Sequence, residues 1–264
     1  MITRNKEGQR RRGIYLLPNL FTTAALFAGF YAIVAAMNDR FEAAAVAVFI
    51  AMLLDGIDGR VARLTNTQTD FGAEYDSLAD MVSFGLAPAL VMYQWALSEL
   101  GKLGWLAAFI YAACAALRLA RFNTQVGIAD KRYFQGLPSP SAAAIVAGMV
   151  WSGTEVFEIA GERIEELAFV LTVLTGLLMV SNIRYHSFKG INFRERVPFV
   201  AILVAVLIIV IVSSNPPVML FGGFLIYAIS GPVLTVVYLR RRRAERKAQH
   251  QQESNSDDEP LEKP

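Results

Sequence analysis

Long apolar runs separated by short polar segments make up most of the chain between residues 15 and 239. A run of about 20 apolar residues is typical of a helix that crosses a bilayer, because such a helix is as long as the hydrocarbon core is thick. The pattern therefore predicts an all-α, polytopic integral membrane protein with about eight transmembrane helices. The predicted spans are 15–37, 41–62, 75–97, 103–122, 140–157, 165–182, 197–213 and 217–239.

Positive charge is distributed unevenly between the two sides of the predicted membrane domain. With eight spans, both termini lie on one side, and that side collects all 25 Lys and Arg residues except Arg40, Lys102 and Arg163. Because Lys and Arg concentrate on the cytoplasmic side, we expect both termini in the cytoplasm. The chain then divides into a basic cytoplasmic N-terminus at 1–14, a transmembrane domain at 15–239, and a basic, then polar and disordered, cytoplasmic tail at 240–264.

Residues 55–80 form an acidic stretch between two apolar runs. Asp55 and Asp58 are three residues apart, and Asp76 and Asp80 are four apart, so each pair shares one face of a helix. If a turn joins the two helices, all four carboxylates meet at the cytoplasmic end of the bundle. Such carboxylates repel one another, so either some are protonated or cations bind among them.

Oxygen ligands of this kind suit Mg²⁺, Mn²⁺ or Ca²⁺. The stretch contains no Cys or His, which argues against zinc, and the single cysteine of the chain excludes an internal disulfide. The site would lie at the membrane surface, beside apolar runs. These observations indicate metal-dependent phosphoryl chemistry on a membrane lipid.

A solvated acidic helix–loop–helix is the simpler alternative for the same stretch. Its glycines argue against that interpretation, because Gly56, Gly59 and Gly72 each weaken a helix by about 1 kcal/mol relative to alanine. They are better explained as positions where a ligand approaches the backbone. Arg60 and Arg63 add the positive charge that an anionic substrate needs. An ion transporter is a further alternative, but it would need acids on several spans near mid-bilayer.

Five other residues offer polar groups near the same end of the predicted bundle. Arg118 and Arg121 lie on one face at the end of the fourth span, where they either extend to lipid phosphates or bind substrate phosphates. Asn19 begins the first span together with Thr22 and Thr23. These polar side chains predict helix capping and interhelical hydrogen bonds, with substrate contact as the alternative.

The acidic stretch also matches a known signature at fixed spacing. Eight of its residues reproduce the motif of the CDP-alcohol phosphatidyltransferases, Asp55-x2-Asp58-Gly59-x2-Ala62-Arg63-x8-Gly72-x3-Asp76-x3-Asp80. Outside the motif, the segments LPNLFT, ALRLARFN, FQGLPSPSAA and VSNIRYHSFK resemble one branch of that family, the bacterial membrane-integral phosphatidylserine synthases. The resemblance extends over most of residues 15–190.

The resemblance implies a reaction, cofactors and a location. The reaction would convert CDP-diacylglycerol and L-serine to phosphatidylserine and CMP, with a sister enzyme that uses glycerol 3-phosphate or inositol phosphate as the alternative. Two divalent cations, Mg²⁺ or Mn²⁺, would assist it. The protein would be a homodimer in the bacterial inner membrane, surrounded by lipids, without a nucleic-acid partner.

The resemblance also implies roles for individual residues. Asp55, Asp58 and Asp76 would be metal ligands, and Asp80 would be both a ligand of the second metal and the general base. The residues that would contact the cytidine diphosphate are Asp58, Gly59, Ala62, Arg63 and Gly72. Arg118 and Arg121 would bind a phosphate or the serine carboxylate, and Asn19, Tyr185 and Lys189 are weaker candidates for headgroup contacts.

Overall fold

The computed structural model describes residues 6–65, 69–124, 133–186 and 199–257. Within these ranges the chain forms nine α-helices. They are α1 (Lys6–Ala36), α2 (Phe41–Thr65), α3 (Asp70–Asp80), α4 (Ala87–Met92), α5 (Lys102–Thr124), α6 (Ser139–Trp151), α7 (Glu165–Val180), α8 (Phe199–Ser214) and α9 (Pro216–Asp257).

Four helical stretches are long and apolar enough to cross a membrane, and they make the chain a helical membrane protein. They are Pro18–Ala36, Asp70–Leu100, Lys102–Thr124 and Pro216–Val236. The surface agrees with this, since α8 exposes apolar side chains such as Ile209 and Val210. The other predicted spans fall on α2 and on α6, α7 and α8, whose 13 to 16 residues are fewer than a full crossing takes. Eight spans therefore stay a prediction.

Small residues let α1 and α2 pack closely. Ala32 of α1 and Ala44 and Ala45 of α2 are fully buried. On another side of α1, a Cβ at Gly29 would lie 2.6 Å from Oγ of Ser83, so only glycine allows this approach. Close contact through small side chains is how helices associate in membranes, where lipid removes the hydrophobic driving force.

The stretch from α3 to α4 is one interrupted helix. Two π-helical turns, Met81–Leu86 and Tyr93–Leu97, flank α4. Pro88 of α4 has no N–H to donate to the carbonyl of Phe84, four residues earlier. That carbonyl accepts a hydrogen bond of 3.1 Å from the Tyr111 hydroxyl of α5. The first π-helical turn therefore lies where proline interrupts the helical hydrogen bonds.

A short β-ribbon departs from the all-α prediction. Strands β1 (Tyr133–Gln135) and β2 (Arg184–His186) pair antiparallel, with Gln135 opposite Arg184. Three-residue strands carry too little periodicity to be found in a sequence. The ribbon joins the segment before α6 to the segment after α7.

The last helix continues beyond the predicted eighth span. The backbone of α9 is helical to Asp257, and disorder of the tail at 240–264 stays a prediction. Low hydrophobicity removes a packing partner but does not stop propagation of an existing helix, and this tail is rich in the helix formers Arg, Lys, Glu, Gln and Ala. Residues 258–264 lie outside the described part of the chain.

Candidate active site

Three of the four motif aspartates meet between α2 and α3. Asp55 lies on α2, and Asp76 and Asp80 lie on α3. One carboxylate oxygen of each lies within 4.8 Å of the others, and all three side chains are partly exposed. Helical spacing places Asp76 and Asp80 on one face of α3, and the carboxylate of Asp55 on α2 lies close to both.

The cluster of Asp55, Asp76 and Asp80 is unfavourable as three bare anions. Two unit charges 4.8 Å apart repel by roughly 3 kcal/mol at an effective dielectric constant near 20. Asp80 and Asp55 approach to hydrogen-bonding distance, and the positive charge of Arg118 acts on Asp80. Hard oxygen ligands at this spacing fit a divalent cation such as Mg²⁺ or Mn²⁺. The cluster can therefore hold a metal ion.

Asp58 lies outside this group and has a different environment. Its side chain is buried, at 5% exposure. The Thr22 hydroxyl of α1 donates a hydrogen bond of 2.8 Å to Oδ2 of Asp58. Thr22 therefore forms the interhelical hydrogen bond that its position at the start of the first span predicted.

Two glycines of the acidic stretch border open space. A Cβ added at Gly56 or Gly59 would meet no atom of the described residues within 4 Å. Packing within the described chain therefore does not require glycine at either position. At Gly72 the space is tight, because a Cβ would lie 3.1 Å from Oγ1 of Thr69 and 3.5 Å from Oδ1 of Asn19. Asn19 thus approaches the start of α3.

The remaining motif residues lie on the last two turns of α2. Ala62 is partly exposed and Arg63 is exposed. Nε of Arg63 donates a hydrogen bond of 2.8 Å to the carbonyl of Gly59, within the same helix. This contact holds the guanidinium beside Gly59.

Arg118 lies beside the acidic cluster. Its Nη1 donates a hydrogen bond of 2.6 Å to Oγ of Ser139, which is fully buried at the start of α6. Its Nε is buried and has no hydrogen-bond partner among the described residues. The negative charge of Asp80 acts on Arg118. A buried, incompletely paired guanidinium beside a carboxylate cluster is suited to bind an anion.

Arg121 has a different environment, although it shares a helix face with Arg118. Its Nη1 donates to the carbonyl of Val180 at 3.1 Å, and its Nη2 donates to Oδ1 of Asn182. Val180 is the last residue of α7, where carbonyls lack partners within the helix. Arg121 therefore caps α7, with the sign of charge that a helix C-terminus favours.

The two weaker candidates beyond α7 differ in what can be said of them. Tyr185 is 1% exposed, and its hydroxyl donates a hydrogen bond of 3.0 Å to the carbonyl of Ala228 in α9. Burial raises the pKa of Tyr185 to about 12, so the hydroxyl remains a donor at neutral pH. These contacts make Tyr185 a packing residue. Lys189 lies outside the described residues.

Sequence reasoning did not include three side chains that the structure places around the site. The hydroxyls of Tyr75 in α3 and Thr23 in α1 form a hydrogen bond of 2.9 Å, which connects the two helices. Ser77 accepts a hydrogen bond of 3.0 Å from Asn123 of α5. Ser139 of α6 accepts a hydrogen bond from Arg118. No periodic signal marks such contacts, because each partner lies on another helix.

Comparison with known proteins gives relatives over most of the chain. The CDP-diacylglycerol–serine O-phosphatidyltransferase of Helicobacter pylori (strain ATCC 700392 / 26695) is 40% identical over 191 residues, 72% of this chain and 80% of the relative. The protein of the same name from Mycobacterium bovis (strain ATCC BAA-935 / AF2122/97) is 36% identical over 206 residues, 76% of this chain and 70% of the relative. The archaetidylserine synthase of Methanothermobacter thermautotrophicus is 32% identical over 178 residues, 67% and 72% of the two chains.

The family model for CDP-alcohol phosphatidyltransferases matches residues 15–180. The match begins in α1, contains the whole acidic stretch and ends with α7. With the aspartate cluster between α2 and α3 and relatives of 36–40% identity covered to 70% or more, this chain belongs to the CDP-alcohol phosphatidyltransferase family.

Proposed function

We propose that this protein transfers the phosphatidyl group of CDP-diacylglycerol to L-serine, which gives phosphatidylserine and CMP. The observation that carries the proposal is the cluster of Asp55, Asp76 and Asp80, whose carboxylate oxygens lie within 4.8 Å of one another in a chain with apolar, membrane-length helices. Family membership supplies the CDP-linked donor. The names of two relatives supply CDP-diacylglycerol and serine.

Asp55, Asp76 and Asp80 would hold a divalent cation, Mg²⁺ or Mn²⁺. Asp58, on the same motif, is proposed as a further ligand and as a contact of the cytidine diphosphate, and two cations in all are proposed. Bound cations would neutralise phosphate oxygens and the charge that develops on the leaving CMP. The partly exposed cluster is accessible to a substrate. Asp58 is buried, and its carboxylate accepts a hydrogen bond from Thr22 of α1.

The nucleotide of the donor would lie along the last turns of α2. The open space at Gly59 leaves room for a phosphate or ribose against the backbone. Arg63, held beside Gly59, offers its remaining N–H groups to an anion. Ala62 and Gly72 are also small residues, and they would complete the surface of the motif that contacts the nucleotide.

Asp80 is proposed as the general base. Its carboxylate takes the proton of the serine hydroxyl as that oxygen attacks the phosphorus bonded to diacylglycerol. The new bond joins the serine oxygen to phosphorus, and the bond from phosphorus to the CMP oxygen breaks.

Arg118 is proposed to bind the serine carboxylate or the reacting phosphate. The N–H of its buried Nε is available to donate a hydrogen bond. Asp80, the proposed general base, acts on Arg118 electrostatically. Arg121, which the motif resemblance paired with it, is engaged by the end of α7 and contributes through the position of that helix. Asn19 would act through its approach to Gly72.

We propose a setting in which eight spans place both termini and the aspartate cluster at the cytoplasmic face of the bacterial inner membrane, in a homodimer. All but three of the 25 Lys and Arg residues fall on that side under this topology, which supports the orientation. The donor lipid would reach the site within the membrane plane, and serine would arrive from the cytoplasm.

A sister activity would use glycerol 3-phosphate or inositol phosphate instead of serine. The relative named archaetidylserine synthase, like the two serine transferases, carries serine in its name, which favours serine here. Those other acceptors carry a phosphate dianion and need more basic residues in the acceptor pocket.

The test is CMP release from CDP-diacylglycerol by the purified protein in detergent micelles with Mg²⁺ or Mn²⁺. Four reactions are compared, with L-serine, glycerol 3-phosphate, inositol phosphate and no acceptor. We expect release only with serine, and its loss with a chelator and in Asp80→Asn. Release with another acceptor would overturn serine as the acceptor, and no release with any acceptor would overturn the proposed transfer.

A further inference from the structure

Tyr185 of β2 is packed against α9, beyond the residues that match the family. Its ring lies 5.5 Å, between centroids, from the ring of Tyr227, and its hydroxyl donates to the carbonyl of Ala228. A Cβ at Gly231 would lie 2.4 Å from two carbons of the Tyr185 ring. Only glycine at 231 therefore lets the ring approach the helix. This contact, here named the tyrosine contact, consists of Tyr185 and Gly231.

The ribbon that carries Tyr185 also fixes the start of α6. The N–H of Gly136 donates to the carbonyl of Ile183 at 2.8 Å, and the N–H of Leu137 donates to the carbonyl of Leu178 at 2.9 Å. Leu137 is fully buried. Gly136 has a φ of 77°, and a Cβ there would lie 2.1 Å from the carbonyl oxygen of Met179. The position of the ribbon at the end of α7 is therefore tightly restricted.

Two residues after Leu137, Ser139 accepts the hydrogen bond of Arg118. Pro138 and Pro140 restrict the backbone on both sides of Ser139. A displacement of the ribbon would therefore be transmitted to Ser139 with little loss, and from there to the guanidinium of Arg118. Tyr227 gives α9 a second contact with the ribbon, because its ring packs against the ring of Tyr185.

We infer that Tyr185 is a positioning residue of the acceptor side of the site. Packed against Gly231, it holds the ribbon so that Ser139 keeps Arg118 in place for an anionic acceptor. The inference assigns α9 a part in acceptor binding, although α9 contributes no residue to the motif. It rests on the proposed function for the identity of the acceptor, L-serine.

The first experiment compares Gly231→Ala with Gly222→Ala. Both glycines lie in α9, and a Cβ at Gly222 meets no described atom within 4 Å, so both substitutions change helix propensity equally and only one presses on Tyr185. For each purified variant, kcat and the KM values for serine and CDP-diacylglycerol are measured in detergent. We expect Gly231→Ala to raise the serine KM about tenfold, with less than about a twofold change for CDP-diacylglycerol. Gly222→Ala should match the wild type.

A double-mutant cycle tests whether the effect passes through the ring. Tyr185→Leu removes the ring atoms that a Cβ at 231 would meet, so Gly231→Ala should have no further effect on the serine KM in that background. Additive effects would overturn the tyrosine contact as the route. If Gly231→Ala does not fold, Tyr185→Phe removes only the hydrogen bond to Ala228 and should shift the serine KM in the same direction by a smaller factor.

Hydrogen exchange separates failure of this inference from failure of the proposed function. Whatever the acceptor, Gly231→Ala should accelerate exchange of the Gly136 and Leu137 amides relative to Gly222→Ala, because a displaced ribbon would weaken their hydrogen bonds to Ile183 and to Leu178 of α7. Unchanged exchange, or equal serine KM values in an active pair of variants, would overturn the inference. Absence of serine-dependent release by the wild type would overturn the proposed function alone.

Discussion

Thr22 and Asp58 join α1 to α2 through a buried hydrogen bond of 2.8 Å from Oγ1 to Oδ2. The bond fixes the orientation of a motif aspartate from a helix that carries no motif residue. Removing one hydrogen-bond donor from a buried carboxylate is costly. Thr22 thereby links the first helix of the bundle to the acidic stretch.

Thr22→Val should lower both stability and activity. Valine keeps the shape but removes the donor, so we expect a loss of about 1–3 kcal/mol in the free energy of unfolding, and Thr22→Ser should restore most of it. Denaturation in detergent measures the stability of each variant, and CMP release measures its activity. Thr172→Val is the matched control, since Thr172 is also fully buried but donates only within α7, to Ala168. Equal activity loss in both variants would contradict a specific role of Thr22.

Asp80→Asn should abolish turnover while sparing CDP-lipid binding more than Asp55→Asn does. Asparagine cannot accept the serine proton, and a general base contributes about 10²–10⁴-fold. Binding is measured by the thermal stabilisation that CDP-diacylglycerol gives each variant, and turnover by CMP release. Equal loss of binding in the two variants would contradict the assignment of Asp80 as the base.

Gly59→Ala should separate folding from function. Alanine favours a helix by up to about 1 kcal/mol, and its Cβ has open space, so the variant should be at least as stable as the wild type. The same Cβ would occupy space proposed for the nucleotide, and we expect the KM for CDP-diacylglycerol to rise about tenfold or more. Gly222→Ala serves as the control in α9, where a Cβ is equally unobstructed. An unchanged KM would show that the nucleotide does not lie against Gly59.

Arg118→Ala and Arg121→Ala should fail in different ways. Arg121 bonds the end of α7, so its loss should lower stability by about 0.5–2 kcal/mol and leave the serine KM nearly unchanged in folded protein. Arg118→Ala should raise the serine KM strongly, because the Nε of Arg118 has no hydrogen-bond partner among the described residues and is available to the acceptor. Stability and KM are measured on the same preparations. A reversal of the two patterns would exchange the assigned roles.

The acidic cluster was predictable because it depends on local geometry. Helical spacing alone places Asp76 and Asp80 on one face, and the polar stretch between apolar runs indicates where α2 ends and α3 begins. The helices themselves followed from their apolar runs. The Thr22 bond was anticipated in kind, as an interhelical hydrogen bond, without its partner.

The separation of Arg118 from Arg121 was not predictable. Both lie on one helix face at equivalent depth, and what distinguishes them is Ser139 for one and the end of α7 for the other. Neither partner is near in sequence. The same holds for the β-ribbon, since its two strands are about 50 residues apart and too short for a periodic signal.

The hydrogen bond from Tyr111 to the carbonyl of Phe84 has an evolutionary consequence. Pro88 and Tyr111 form one unit although they lie on different helices, because the hydroxyl serves a carbonyl to which proline offers no N–H. A lineage that replaced Pro88 would regain a backbone donor and lose the selective reason for a hydroxyl at 111. We therefore expect positions 88 and 111 to covary among homologues. This covariation would mark where the helix between Asp70 and Leu100 is interrupted.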